Sequence, residues 1–431
     1  MIHGQSLPVW ATGLPKTWIA RRLKYDATFN DDKLPEDFPE DADIDYIEIS
    51  DVSQLRGVER FETVAFGDAP SRARRKLKSG DTLLSTVRTY LKAVAFVDAS
   101  VANSVASTGF AVVRPGKQFN PRFLSWVLQS DIFVNEVVSY SVGVSYPAIN
   151  AIDVANLIAI QPPLDVQQAI AAHLDRETAK IDTLIAKKRE LIAKLKEQRS
   201  ALISRTVTRG LPPEAAQAAG LDPNPNGHTT WPHKRLRFEI SINPSRNEVS
   251  ALPPDTSVSF VPMDAVGELG GLRLDETKEL GEIGAGYTFF RDFDVVVAKI
   301  TPCFENGKAA FVGGLTNSIA FGTTELHVMR AKPRLAPRFL FYVVISHRFN
   351  KIGESEMYGA GGQKRVPDTF VKDYRLGLPP FEEQVAIGQF LDDETAKIDV
   401  LAEKVETAIA RLTEYRAALI TAAVTGQVDV R

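Results

Sequence analysis

Leu174-Asp175-Arg176-Glu177-Thr178-Ala179-Lys180-Ile181-Asp182 and Leu391-Asp392-Asp393-Glu394-Thr395-Ala396-Lys397-Ile398-Asp399 are nearly one stretch met twice in a single chain. Each copy lies in a longer repeat. It opens on a double proline, Pro162-Pro163 or Pro379-Pro380, and reaches Ala201-Leu202-Ile203 and Val207-Thr208, or Ala418-Leu419-Ile420 and Val424-Thr425. About half of the positions agree without a gap, and self-similarity of that length sets the architecture.

Both copies read as one long amphipathic helix. Ile181, Leu184, Ile185, Leu191, Ile192, Leu195 and Leu202 form a stripe close to a seven-residue period, and so do Ile398, Leu401, Val405, Ile409, Leu412 and Leu419. Asp165 and Gln168, just after the double proline, fit a helix-start box. At ~1.5 Å per residue, about 40 residues make a rod on the order of 60 Å. The first copy is rich in Lys187, Lys188, Arg189, Lys194, Lys196 and Arg199, whereas the second carries Glu403, Glu406 and Glu414. Two rods of opposite bias most simply pack on each other. A whole block lies between them, so an antiparallel pairing needs no special loop and is expected to put the two blocks at opposite ends. The plainer alternative is that each helix covers its own domain.

The duplication extends outward. Gly13-Leu-Pro-Lys-Thr-Trp18 answers to Asn226-Gly-His-Thr-Thr-Trp231, and Thr17, Arg22, Asp51 and Asp81 answer at one fixed spacing to Thr230, Arg235, Asp264 and Asp294. After a small insertion, Asn103-Ser-Val-Ala106 matches Asn317-Ser-Ile-Ala320, and Pro121-Arg-Phe-Leu124 matches Pro337-Arg-Phe-Leu340. The chain is therefore two variable blocks, each followed by the shared helix. The divisions expected are a first block over 1–160, a helix over 161–210, a Pro/Gly-rich linker over 211–230, a second block over 231–377 and the second helix over 378–431. Within the blocks, 46–49, 82–87, 93–97, 258–261 and 294–300 read as strands. Asn120-Pro121 opens a helix through Trp126 and Phe133, and Ala336-Pro337 opens its partner through Tyr342 and Phe349.

With 431 residues, 44% hydrophobic and 24% charged, the chain has the make-up of an ordinary globular protein of two to four domains. The start Met1-Ile-His-Gly-Gln-Ser-Leu-Pro8 lacks a basic-then-apolar pattern, so no signal peptide is expected. No apolar run is long enough for a bilayer span; the expectation is a cytoplasmic protein with no membrane role. A single cysteine, Cys303, excludes an internal disulfide or a cysteine-built zinc site, and reads as a small buried residue. His3, His173, His228, His233, His327 and His347 are too scattered for a metal. Gly281-Glu-Ile-Gly284-Ala-Gly286 lacks the ending of a phosphate loop and reads as a turn. The net charge of −3 counts against unaided nucleic-acid binding, but it is unevenly placed: acidic residues crowd 31–48 while Ser71-Arg72-Ala73-Arg74-Arg75-Lys76-Leu77-Lys78 is strongly basic.

Taken in order, the Gly13–Trp18 segment, Gly80-Asp81, Pro162-Pro163-Leu-Asp-Val-Gln167 with Pro379-Pro380-Phe-Glu-Glu-Gln384, the duplicated Glu-Thr-Ala-Lys-Ile-Asp helices and Val207-Thr-Arg-Gly-Leu211 resemble the DNA-specificity (S) subunits of type I restriction–modification systems over the whole chain. The resemblance implies an α+β fold: two mixed α/β target recognition domains joined by two long antiparallel helices, a coiled coil with internal pseudo-twofold duplication. It implies that each domain reads one half of a bipartite site in double-stranded DNA. The helices would set the half-site spacing and dock two methyltransferase (M) subunits, to which restriction/motor (R) subunits join. It also implies no catalysis and no cofactor in this chain, S-adenosylmethionine, Mg and ATP belonging to the partner subunits. No methyltransferase motif is present, since Asn224-Pro225 and Asn243-Pro244 lack the following aromatic.

In that context the basic run offers Ser71, Arg72, Arg74, Arg75 and Lys76, with Arg88, Tyr90 and Lys92, as the first DNA face; a solvated charge run is the bland alternative. Ser107 and Thr108, and Ser141 with Tyr146, lie in polar glycine-containing loops that either approach a groove or are ordinary turns. In the second block, Lys299, Thr301, Glu305, Asn306 and Lys308 lie in a segment resembling one class of these recognition domains, as do Thr323, Thr324 and Glu325 after Gly322. Gln363, Lys364 and Arg365 follow Gly361-Gly362, where glycine permits close approach of backbone to DNA. Asn and Gln suit adenine edges, Lys and Arg suit guanine or phosphate, and Glu accepts from cytosine. Glu325 has a second reading as a structural carboxylate pairing Lys299. Glu177, Lys180 and Asp182, with Glu394, Lys397 and Asp399, are assigned to partner docking, against the alternative that early-turn carboxylates merely complement the helix dipole. Two other classes compete: a coiled-coil scaffold whose blocks bind two proteins, and a stand-alone nuclease or methyltransferase.

Overall fold

The computed structural model describes residues 14–222, 231–268, 270–360 and 362–428. Gly13, 223–230 with Thr230, His3, His228 and Gly361 lie outside them. The chain divides into two compact units, Met1–Glu190 with Glu406–Arg431, and Leu191–Val405.

In the first unit, a four-stranded sheet runs in the order Glu62–Ala65, Asp43–Ile47, Val105–Ser107, Ala73–Lys76. A second runs Ala27–Phe29, Phe110–Pro115, Thr82–Ser85, Val94–Phe96. In the second unit the same two orders recur: Glu276–Glu279, Ser257–Val261, Ile319–Gly322, Thr288–Arg291, and Ile240–Ile242, Leu326–Ala331, Val295–Ala298, Ala309–Phe311. A parallel pairing repeats as well, Val105–Ser107 against Asp43–Ile47 and Ile319–Gly322 against Ser257–Val261. Buried apolar runs explain the central strands: every residue of Thr82–Ser85 and Val295–Ala298 is buried.

The helix expected through Phe133 is two. Pro121–Gln129 is capped by the Asn120 side chain, which accepts from the Arg122 and Phe123 N–H groups. Ser130 then leaves the helical conformation, donates to the Val127 carbonyl at 2.6 Å and caps Asp131–Ser139. Ser346 makes the same break between Pro337–Val344 and His347–Ser355. Among its described residues the linker holds the short helix Pro213–Ala218.

The repeated helices are Leu164–Arg209 and Phe381–Val424. In the first unit, Ile170 and Leu174 share a core with Ile420, Ala423 and Val424. In the second, Ile203 and Val207 share one with Ile387 and Leu391. In each unit one helix therefore ascends as the other descends, an antiparallel pairing. The stripe is narrower than its seven-residue reading. Ile181, Ile185, Leu195 and Val405 are buried, but Leu184, Leu191 and Leu401 are exposed. The helix start also differs. Gln168 is exposed, and its neighbour Gln167 is the buried amide, accepting from the Asn120 N–H at 2.7 Å and donating to the Pro162 and Gln118 carbonyls.

Candidate nucleic-acid interface

Each block is braced by one buried carboxylate. Asp81 accepts from Arg114 through both oxygens at 2.8 Å, and Asp294 accepts from Arg330 at 2.7 and 2.8 Å. The spare guanidinium nitrogen reaches Asp32 in the first case and Glu248 in the second. Lys78 and Arg114 together hold the Asp32 carboxyl down to about 2. These braces fix the strands from which the candidate loops leave.

In the first block five separate segments line one cleft of about 850 Å³, which holds Glu48, Arg72, Arg88, Thr108 and Tyr146. Arg88 is in the left-handed conformation, lies 4.6 Å over the Tyr146 ring, and donates its N–H to the Pro147 carbonyl. Thr89 and Ser141 hydroxyls meet at 2.7 Å, and Val87 and Val142 both bridge to Ala148. Tyr90 is exposed; Lys92 pairs with Asp131 at 2.8 Å. The basic run is a strand, not a loose patch. Arg72 pairs with Glu48 and donates to the Tyr46 hydroxyl, and Arg74 lies 4.8 Å over Phe66. Arg75 is half-buried, which lowers its guanidinium's affinity for the proton, while Ser71 and Lys76 face solvent. Ser107 lines the cleft but is buried, and its hydroxyl accepts from the Gly109 N–H, so it shapes the loop and leaves Thr108 as the exposed member.

In the second block the three glycine-containing segments also meet. Ile300 and Tyr358 both bridge to Arg365, the counterpart of the Val87–Ala148–Val142 arrangement. Lys299 donates its N–H to the Glu325 carbonyl, and Thr301 donates to the Lys364 carbonyl, both at 3.0 Å. Glu325 does hold a structural pair, but with Arg365 and not Lys299. The guanidinium donates from Nε at 2.9 Å and from a terminal nitrogen at 2.8 Å, and it holds the Glu325 carboxyl below its usual range. Lys308 Nζ donates to the Met263 carbonyl at 3.0 Å. Thr323 accepts from the Glu325 N–H, while Thr324, Glu305, Asn306, Gln363 and Lys364 are exposed. Cys303 is half-buried with a free thiol, not enclosed. Gly281–Gly286 does lie between strands, after Glu276–Glu279 and before Thr288–Arg291.

On the long helices half-buried Glu177 takes exposed Lys180 at 3.0 Å, and half-buried Glu394 takes exposed Lys397 at 2.6 Å. Asp182 and Asp399 have partners inside the chain. Arg416 donates to Asp182 at 2.9 Å, and Arg199 donates to Asp399 at 3.0 Å. The two contacts are equivalent under the repeat, one running in each direction, so the opposite charge bias expected of the helices is not what these two pairs use. Four residues escaped the sequence reading although they recur in both copies. Gln384 repeats the Gln167 arrangement, accepting from the Ala336 N–H and donating to the Pro379 and Arg334 carbonyls. Asp175 takes Arg122 and the Trp126 N–H, as Asp392 takes Arg338 and the Tyr342 hydroxyl. The signal was their identity across the repeat.

Residues 283–410 match the family model of the type I restriction modification DNA specificity domain. That stretch resembles the DNA specificity domain of type I restriction–modification systems. Among relatives, it is 37% identical over 197 residues to the EcoEI specificity subunit and 36% to the EcoAI specificity subunit, both of Escherichia coli. Those matches take in 43% of this chain, and the chain spans about a third (33%) of the length of these two relatives. To the EcoKI specificity subunit of E. coli K12 it is 24% identical over 333 residues, 74% of this chain and 68% of that one. Two solved structures share this chain's fold. One comes from work on complex assembly and conformational transition of the type I R-M system (TM-score 0.65, 22% identity, 96% of this chain and 99% of that one). The other is the HsdS subunit from Thermoanaerobacter tengcongensis (TM-score 0.50, 21% identity, 96% and 98%). Among the described residues, no helix is long and apolar enough to cross a membrane, and no cluster of His, Cys, Asp or Glu could hold a metal ion.

Proposed function

We propose that this chain is the sequence-reading subunit of a cytoplasmic type I restriction–modification complex. The blocks over 1–160 and 231–377 each read one half of a bipartite site. The long helices set the half-site spacing and dock two methyltransferase subunits, restriction/motor subunits completing the assembly. Methyl transfer and cleavage, with their S-adenosylmethionine, Mg and ATP, fall to those partners. One observation carries the reading: segments distant in sequence converge in each block at repeat-equivalent positions, around Arg88 and Tyr146 in one and around Arg365 in the other. In a DNA complex, Glu325 orients Arg365 for a base or phosphate, while Gln363 and Lys364 beside it make direct contacts. Glu177, Lys180, Glu394 and Lys397 form the docking face, and Asp182 and Asp399 hold the helices that present it. The test is binding of a randomised duplex pool by the chain with its methyltransferase subunits. One split sequence is expected; equal retention of all duplexes overturns the reading.

A further inference from the structure

At matched positions the two tips differ in their aliphatic content, although each exposes a tyrosine, Tyr146 in the first block and Tyr358 in the second. In the second, the tip between the bridge residues Tyr358 and Arg365 carries exposed Gln363 and Lys364. In the first, the tip between Val142 and Ala148 carries Val142, which is 81% exposed, and Val144, which is fully exposed, with exposed Leu91 on the adjoining turn. Exposed aliphatic side chains are ordinary when scattered. These are held in place. Val142 and Ala148 exchange both backbone hydrogen bonds, at 2.9 and 3.0 Å, and the Ile149 N–H donates to the Thr86 carbonyl. Gly143 sits at φ +120°, where a Cβ would stand 3.1 Å from the Tyr146 carbonyl oxygen. The ordering cost of presenting these methyl groups is met before any ligand arrives.

Two valines and a leucine fall far short of the roughly 800 Å² that each partner buries in a standard protein–protein interface. A few methyl groups on a tip whose Tyr146 ring carries the Arg88 guanidinium at 4.6 Å suit a DNA major groove, where the C5-methyl of thymine is the one apolar group on a base edge. We infer that Val142 and Val144 are specificity residues that read thymine methyl groups in the half-site of the first block, whereas the second block reads by hydrogen bonds. This rests on the proposed DNA-reading function.

The test uses the chain assembled with its methyltransferase subunits and the duplex that this assembly selects. Replacing thymine by uracil in the first block's half-site removes only methyl groups; binding is expected to weaken about fourfold per methyl group contacted. The same exchange in the other half-site is expected to change nothing. In V142S/V144S the uracil duplex and the thymine duplex are expected to bind alike. A first half-site without thymine, unchanged affinity on uracil exchange, or equal losses in both halves overturns the inference while leaving sequence-specific binding intact. Loss of methyltransferase assembly in V142S/V144S with duplex preference retained also overturns it, by making the tip a protein contact. No preference for any duplex removes the functional reading itself.

Discussion

Asp81 and Asp294, each 1% exposed, show how far a single carboxylate organises its block. Removing one leaves the guanidinium of Arg114 or Arg330 without its main counter-charge in a mostly buried site. Asp81→Ala and Asp294→Ala are therefore each expected to cost roughly 3–5 kcal/mol, read as a lower urea midpoint. The neighbouring Asp32 contributes differently. Its folded value of about 2 lies below the ordinary 3.8, so its stabilisation is complete above pH about 4 and disappears as pH falls through about 2. Asp32→Asn is expected to flatten acid unfolding of the first block in that window, followed by near-ultraviolet circular dichroism; an unchanged profile would refute the assignment. The repeat made Asp81 and Asp294 visible in the sequence, but not their arginines. An ion pair joins positions remote in the chain, and no periodicity marks it. For the same reason Glu325 and Arg365 stood as separate candidates until their side chains were seen to meet.

Elements were legible where one physical pattern governs them. Buried apolar runs marked the central strands, and a proline at the first turn marked the helices at Pro121 and Pro337. The break at Ser130 was hidden, because one serine inside an apolar run matters through its cap, not its hydropathy. The seam of the long helices was over-read for a geometric reason: a straight helix drifts ~20° per heptad from a seven-residue stripe, which leaves Leu184, Leu191 and Leu401 outside it. The Arg416–Asp182 contact, with its arginine buried, tests that seam. Asp182→Arg is expected to destabilise by roughly 1–3 kcal/mol, and adding Arg416→Asp to recover most of it, in a double-mutant cycle. Glu177→Lys with Glu394→Lys should instead weaken methyltransferase binding in gel filtration and leave sequence preference unchanged; intact assembly would remove these residues from the docking face.

For the molecule as a whole, the duplication was readable from sequence and the identity of the target bases is not, because under the proposed function base choice falls to loop tips that differ between the copies. Exchange of residues 231–377 for the corresponding block of another specificity subunit is expected to alter one half of the methylated motif and preserve the other, as mapped by sequencing of modified DNA. A change in both halves would refute independent reading. The glutamine beneath each block bears on whether such an exchange is tolerated. Gln167 and Gln384 grip backbone amides and carbonyls, at Asn120 and Gln118 or at Ala336 and Arg334, and ignore what those residues are. A socket that recognises only main chain is blind to the drift of whatever is plugged into it. A transplanted block therefore needs to bring only its own main chain to that seat, whatever side chains it carries there.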